Sequence, residues 1–221
     1  MTLPGHAGGS SIAGGLTIER MVDEVAIELG HAGLTRAHLV GNSLGGYIAL
    51  QLAARGCADT VVALAPAGGW CQDDDSFREL LAAQGQLHHL ACQAAPHADL
   101  ILASRAGRRR ATHLITTNFE HIAPELLAHQ MRGVAACSGA PAMIEQAFVA
   151  DWALDASRIT CPVRILWGTD DLLLPWPRAA TRLYRDRLPH AEWVILDDVG
   201  HCPQLDVPIE TAQLILGMTS P

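Results

Sequence analysis

The chain has 221 residues, of which 49% are hydrophobic and 17% charged, and a formal charge of −8. This length fits one domain able to bury a sizeable core, and the composition is too apolar for a disordered chain. The negative balance argues against nucleic-acid binding, which needs clustered Lys and Arg, and no apolar run approaches the ~18 residues of a membrane span.

Residues 1–16 are rich in Gly, Pro and Ser and read as loop. From Thr17 onward, Ile18, Met21, Val22, Val25, Ala26 and Leu29 recur at helical spacing, with Thr17 as cap and Gly30 or Gly33 as terminator. Ala37 to Val40 reads as a buried strand, 41–46 as a tight turn, 44–55 as a helix and Thr60 to Ala65 as a second buried strand. Residues 68–156 hold most of the histidines and no convincing strand. Helices are expected there over Phe77–Leu90, Arg110–Phe119, Pro124–Val134 and Pro141–Leu154, with Arg108 to Arg110 as a solvated helix end. Strand and helix then alternate again: strand Val163–Trp167, helix Pro177–Leu188, strand Trp193–Leu196 and helix Val207–Leu216. Short apolar strands alternating with helices imply a parallel sheet covered on both faces. The expected organisation is therefore an α/β core, 1–67 and 157–221, interrupted by a helical insertion, 68–156.

Cys57, Cys71, Cys92, Cys137, Cys161 and Cys202 are irregularly spaced and contain no C-x-x-C pair, so neither a zinc site nor a disulfide framework is implied. No cationic patch and apolar run form a leader. A reduced, cytoplasmic protein without a metal or other cofactor is the expectation.

Gly41-Asn42-Ser43-Leu44-Gly45 fits G-x-S-x-G and lies directly between a predicted strand and a predicted helix. A turn that sharp strains the serine backbone and lifts its hydroxyl to the end of the sheet. It also leaves the Leu44 N–H free to bind a developing oxyanion. Serine is a weak nucleophile without a base, and the base needs an orienting group. Both candidates follow predicted strands: Asp170 and Asp171 after "VRILWG", and His201 after "WVIL". The C-terminal edge of such a sheet is where sites form.

With these three motifs in order, the chain resembles a capped α/β-hydrolase. The resemblance rests on Ser43, on the spacing of Gly168, Asp171 and Pro175, and on Gly200-His201 followed by Asp206 and Pro208. It implies a mostly parallel sheet flanked by helices, with 68–156 as the cap. By the same resemblance Ser43 is the nucleophile, His201 its base, Asp171 the residue that orients the base, and Leu44 an oxyanion donor. Asp170 is the rival acid, and Asp73 to Asp75 occupy the place some relatives use. Trp70, Phe119, Phe148 and Trp152 are candidate pocket walls or plain core. The other histidines, including His88, His89, His113, His121 and His129, read as surface or packing residues.

The implied function is a serine hydrolase that cleaves an ester or related acyl bond of a small molecule through an acyl-enzyme. A variant is C–C bond hydrolysis of a dienoic keto acid, since G-N-S-x-G-G turns resemble that branch as well. The opening "LPGHAGGS" resembles the loop after the family's fourth strand. The N-terminal part of the sheet and the H-G oxyanion loop are thus expected to be missing, and His6 to Gly8 does not replace that loop. The alternative is a truncated, catalytically impaired fragment. The strand at 37–41 then becomes an exposed edge that favours self-association.

Overall fold

The computed structural model describes residues 1–10, 16–70 and 75–219. Helix α1 runs over Ile18–His31 and buries Ile18, Met21, Val22 and Val25, the stripe its spacing requires. The Thr17 hydroxyl accepts from Arg20 N–H at 3.2 Å, as a cap should. Gly33 then ends the helix at φ +75°, with Leu34 N–H bonded to Leu29 C=O.

Strands β1 (Ala37–Asn42), β2 (Ala58–Leu64), β3 (Val163–Gly168) and β4 (Glu192–Leu196) form a four-stranded sheet in that order. All three pairings are parallel, so the loops that follow the strands leave from one edge. β2 and β3 are buried almost throughout. β1 is an edge strand whose residues alternate between partial burial and exposure, with Val40 44% exposed. The edge position expected for 37–41 is therefore found. The apolar run Ala37–Val40 is not the fully buried strand its composition predicts, because among the described residues β1 has a strand neighbour on one side alone.

The chain divides into two compact units. One holds the sheet and comprises 26–73, 113–118 and 152–221. In it, helix α2 (Leu44–Ala54) packs on β1 and β2, and helix α9 (Pro208–Thr219) supplies Leu214, Ile215 and Met218 to a core with Val62, Leu64, Leu166, Leu196 and Val199. The short helix α8 (Pro203–Asp206) immediately precedes α9.

The other unit comprises 1–25, 74–112 and 119–151 and is helical. It contains α3 (Asp75–Ala94), α4 (Ala98–Ala103), α5 (Arg105–Thr112), α6 (Pro124–Ala135) and α7 (Ala140–Val149). α3 packs on α6 and α7, and α4 packs on α5 and α6. The opening loop belongs here: Gly139 N–H donates to Gly5 C=O at 3.0 Å, and a Cβ on Gly139 would lie 2.9 Å from that oxygen. No described helix is long and apolar enough to cross a membrane.

Three expected helices differ. Arg110–Phe119 is not one helix: α5 ends at Thr112, and 113–118 is irregular because its polar groups bond elsewhere, as shown below. Pro177–Leu188 is broken into a 3₁₀ turn, Arg178–Ala180, and a π-turn, Leu183–Arg187. Arg182 N–H goes to Gly69 C=O at 2.8 Å, and Leu188 N–H reaches back to Leu183 C=O. Pro141–Leu154 stops at Val149, where Ala150 turns extended, and Trp152 has φ +50°.

Candidate active site

β1 ends at Asn42, and Ser43 sits in the turn to α2 with φ +56° and ψ −117°. A non-glycine residue held there is strained by about 1–3 kcal/mol and persists only when its surroundings over-determine it. The surroundings do so. Ser43 N–H donates to Leu64 C=O at 2.8 Å, and Ser43 C=O accepts from Tyr47 and Ala67 N–H at 3.1 and 3.0 Å. Gly41 is obligatory, since a Cβ there would lie 2.2 Å from Gly45 O, and Gly46 is tightly placed, its Cβ 3.0 Å from both Gly41 O and Pro66 Cβ. Tyr47 N–H makes the bond back to Ser43, so the N–H groups of Leu44, Gly45 and Gly46 open the helix without intrahelical acceptors. That is the donor arrangement an oxyanion requires.

The loop after β3 carries Asp171 and the loop after β4 carries His201, both almost wholly buried at 2% and 3% exposure. Asp171 Oδ2 lies 2.8 Å from His201 Nδ1. Its Oδ1 accepts from Leu173 and Leu174 N–H at 2.9 and 2.7 Å, which fixes the carboxylate plane. A carboxylate on Nδ1 selects the tautomer with the proton on Nδ1 and the lone pair on Nε2. Nε2 is buried and has no hydrogen-bond partner among the described residues. Arg108 Nε, Arg164 Nε and Thr211 Oγ1 share that state, so what sets Nε2 apart is the carboxylate held on the other nitrogen of its ring.

The two loops are laced together. Thr169 N–H donates to Leu196 C=O and Asp170 N–H to Val199 C=O, while Asp198 N–H donates to the Thr169 hydroxyl. Asp170, the rival acid, is exposed, whereas Asp171 meets the histidine. Asp73 and Asp74 lie outside the described residues, as does the side chain of Asp75. Of the eleven histidines, His201 alone is buried.

Two residues to which the sequence alone gives no role contribute here. Asn42, the variable position of the pentapeptide, donates through Nδ2 to Leu64 C=O and His201 C=O, both at 3.0 Å. Its Oδ1 accepts from Cys202 Sγ at 3.4 Å and Gln204 Nε2 at 3.3 Å. Asn42 thus ties the serine turn to the histidine loop; its place beside Ser43 was the available signal. Burial pushes the Cys202 thiol up to about 12, and the Asp171 and Asp206 charges add to this, so it stays protonated at neutral pH. Asp206 is the second, buried and bonded to Gly200 N–H at 2.7 Å.

Of the candidate wall residues, Trp70 and Trp152 are buried and stack edge-on at 4.9 Å, and Tyr47 meets Trp152 at 5.0 Å. In the helical unit, Phe119 is buried with the Arg105 guanidinium 5.8 Å from its ring centroid, and Phe148 is half-buried on α7.

The model of the alpha/beta hydrolase family matches residues 1–214. The chain belongs to that family. Among similar proteins, the hydrolase is 29% identical over 201 residues to "Epoxide hydrolase EphH" of Mycobacterium tuberculosis, covering 88% of this chain and 91% of the relative. It is 25% identical over 207 residues to "Putative carbamate hydrolase RutD" of Stutzerimonas stutzeri, covering 94% of this chain and 75% of the relative. The crystal structure of the enol-lactonase from Burkholderia xenovorans LB400 shares the fold, with a TM-score of 0.69 at 20% identity over 99% of this chain and 78% of that one.

Proposed function

We propose that the chain is a serine hydrolase that cleaves an ester or a related acyl bond of a small molecule through an acyl-enzyme on Ser43. The observation that carries this is the imidazole of His201: Nδ1 is held by Asp171, and Nε2 is buried and, among the described residues, unpartnered, at the sheet edge that also presents Ser43.

In the first half-reaction His201 Nε2 takes the Ser43 proton as the serine oxygen attacks the acyl carbon. The negative oxygen of the tetrahedral intermediate is received by the Leu44 N–H at the start of α2. Asp171 holds the imidazole in its working tautomer and stabilises the imidazolium, which then protonates the leaving group. In the second half-reaction water attacks the acyl-enzyme, with His201 again as base, and Ser43 is released. Every proton transfer is made by Ser43, His201, water or the leaving group.

One relative is named an epoxide hydrolase, and the residue at the turn bears on that. A serine oxygen that opened an epoxide would form an ether, which water does not readily cleave. An acyl-serine ester is cleaved readily. Ser43 therefore favours acyl substrates over epoxides. The test is labelling by a fluorophosphonate probe together with turnover of p-nitrophenyl esters. Labelling at Ser43, abolished by Ser43→Ala, is expected. Folded protein that is not labelled would sink the proposal, and cleavage of dienoic keto acids without ester turnover would replace it by C–C hydrolysis.

A further inference from the structure

Asp206 is a buried carboxylate for which acyl transfer has no chemical use. It is 3% exposed at the end of α8 and, among the described residues, forms no ion pair. Burying a charge without a counter-charge is costly unless donors surround it, and here they do. Oδ2 accepts from Gly200 N–H at 2.7 Å and Thr117 N–H at 3.2 Å. Oδ1 accepts from Asn118 N–H at 2.9 Å and from the Thr116 hydroxyl. Hydrogen bonds to a charged acceptor are roughly twice as strong as neutral ones.

These donors come from two stretches of chain far apart in sequence, and they meet around His201. Gly200 directly precedes the histidine. On its other side, Cys202 N–H donates to Ile115 C=O at 2.8 Å. Asp198 C=O accepts from the Thr117 hydroxyl at 2.7 Å. The segment 115–118 is thus a strap bonded to the histidine loop at 198, 202 and, through Asp206, at 200. No slack remains at Gly200, where a Cβ would lie 3.1 Å from Asp206 Oδ2 and from Thr116 Cα.

We propose that Asp206 and the strap Ile115–Asn118 form the positioning device for His201, setting the backbone from which the imidazole reaches both Asp171 and its proton-transfer partner. Among the described residues Asp206 makes no hydrogen bond to the imidazole or to Ser43, so it acts through Gly200 and the strap. The inference rests on the reading of His201 as general base. Asn42 holds the His201 carbonyl independently, so loss of Asp206 displaces the ring rather than freeing the loop.

The test compares Asp206→Asn, Thr116→Val and Thr116→Ser in the full chain. Asparagine keeps the shape of the side chain but turns an amide N–H₂ toward groups that are themselves donors. A misplacement of the order of 1 Å costs about 10²-fold in rate, so Asp206→Asn is expected to lose roughly that in kcat with KM within about twofold. Thr116→Val, which removes one donor of four, should lose about tenfold, and Thr116→Ser, which restores the hydroxyl, should recover wild-type rate. The low-field proton resonance of the His201 Nδ1–H to Asp171 bond should broaden or shift in the two slow variants alone. If Asp206→Asn does not fold, the threonine pair decides the matter. A folded Asp206→Asn with unchanged kcat and resonance, or equal rates in the two threonine variants, would overturn the proposal while Ser43 labelling still stands. If wild-type Ser43 is not labelled, the hydrolase reading fails and the His201 resonance alone judges the strap.

Discussion

The two units hold themselves together by different physics. In the sheet unit, buried and half-buried polar groups are bonded over long sequence distances: Asn42 to His201, Asp171 to His201, and Asp206 to Thr116, Thr117 and Asn118. In the helical unit the ion pairs are exposed: Arg132 with Asp99 and Arg105 with Glu120. Buried polar networks are costly to break and hold one geometry. Exposed pairs are worth about 0–1 kcal/mol and are readily exchanged. The contrast separates bonds that hold one geometry from pairs that hold none; an exposed pair, Arg36 with Asp59, occurs in the sheet unit too.

Substitutions can break this contrast or sharpen it. The largest effect is expected at the proposed chemistry: Ser43→Ala or His201→Ala should lower kcat by about 10⁶ and Asp171→Asn by about 10⁴, measured by ester turnover with folding checked by circular dichroism. Next is Gly41→Ala, whose Cβ has no room beside Gly45 O. It should cost about 3 kcal/mol or more, at the upper end for single substitutions, read by urea denaturation. Asn42→Ala leaves the Leu64 and His201 carbonyls without their side-chain donor. A loss of about 1–3 kcal/mol is expected, accompanied by a fall in kcat; stability loss with kcat unchanged would show that Asn42 does not hold the histidine in place. On the other side of the comparison, Arg132→Ala should cost less than about 1 kcal/mol, and a larger loss in thermal unfolding would blur the distinction between the units. The smallest perturbation is chemical. Iodoacetamide at pH 8 should modify the exposed Cys92 well before Cys202, whose thiol burial keeps protonated up to about 12. Mass mapping of the alkylated peptides checks it.

Much of the sheet unit was legible from the residues. The alternation of strands and helices and the serine turn follow local rules, since the turn needs Gly41 where the Gly45 carbonyl comes back onto it, and the order of Ser43, Asp171 and His201 is read directly off the chain. The helical segment was harder to read. Arg110–Phe119 is expected to be helical, yet Thr and Asn are weak helix formers, and the Thr117 and Asn118 N–H groups and the Thr116 hydroxyl all go to Asp206. Arg182 makes the same point, its N–H taken by Gly69. In both, tertiary hydrogen bonds take backbone donors that a helix would need. Exposure likewise separates Asp170 from Asp171 and His201 from ten other histidines, and exposure belongs to the fold.

Local stereochemistry is contained in the order of the residues, so the sequence alone determined the strand–turn–helix around Ser43, the parallel strand pattern and the family. Long-range partners are not contained in that order. The tertiary structure decided that Asn42 and Asp206 bond to the histidine loop, that 115–118 is a strap rather than part of a helix, and that among the described residues His201 Nε2 is left buried and unpartnered. The physical reason is that a buried donor or acceptor must find its partner wherever the packed chain places one, and sequence separation does not enter that requirement.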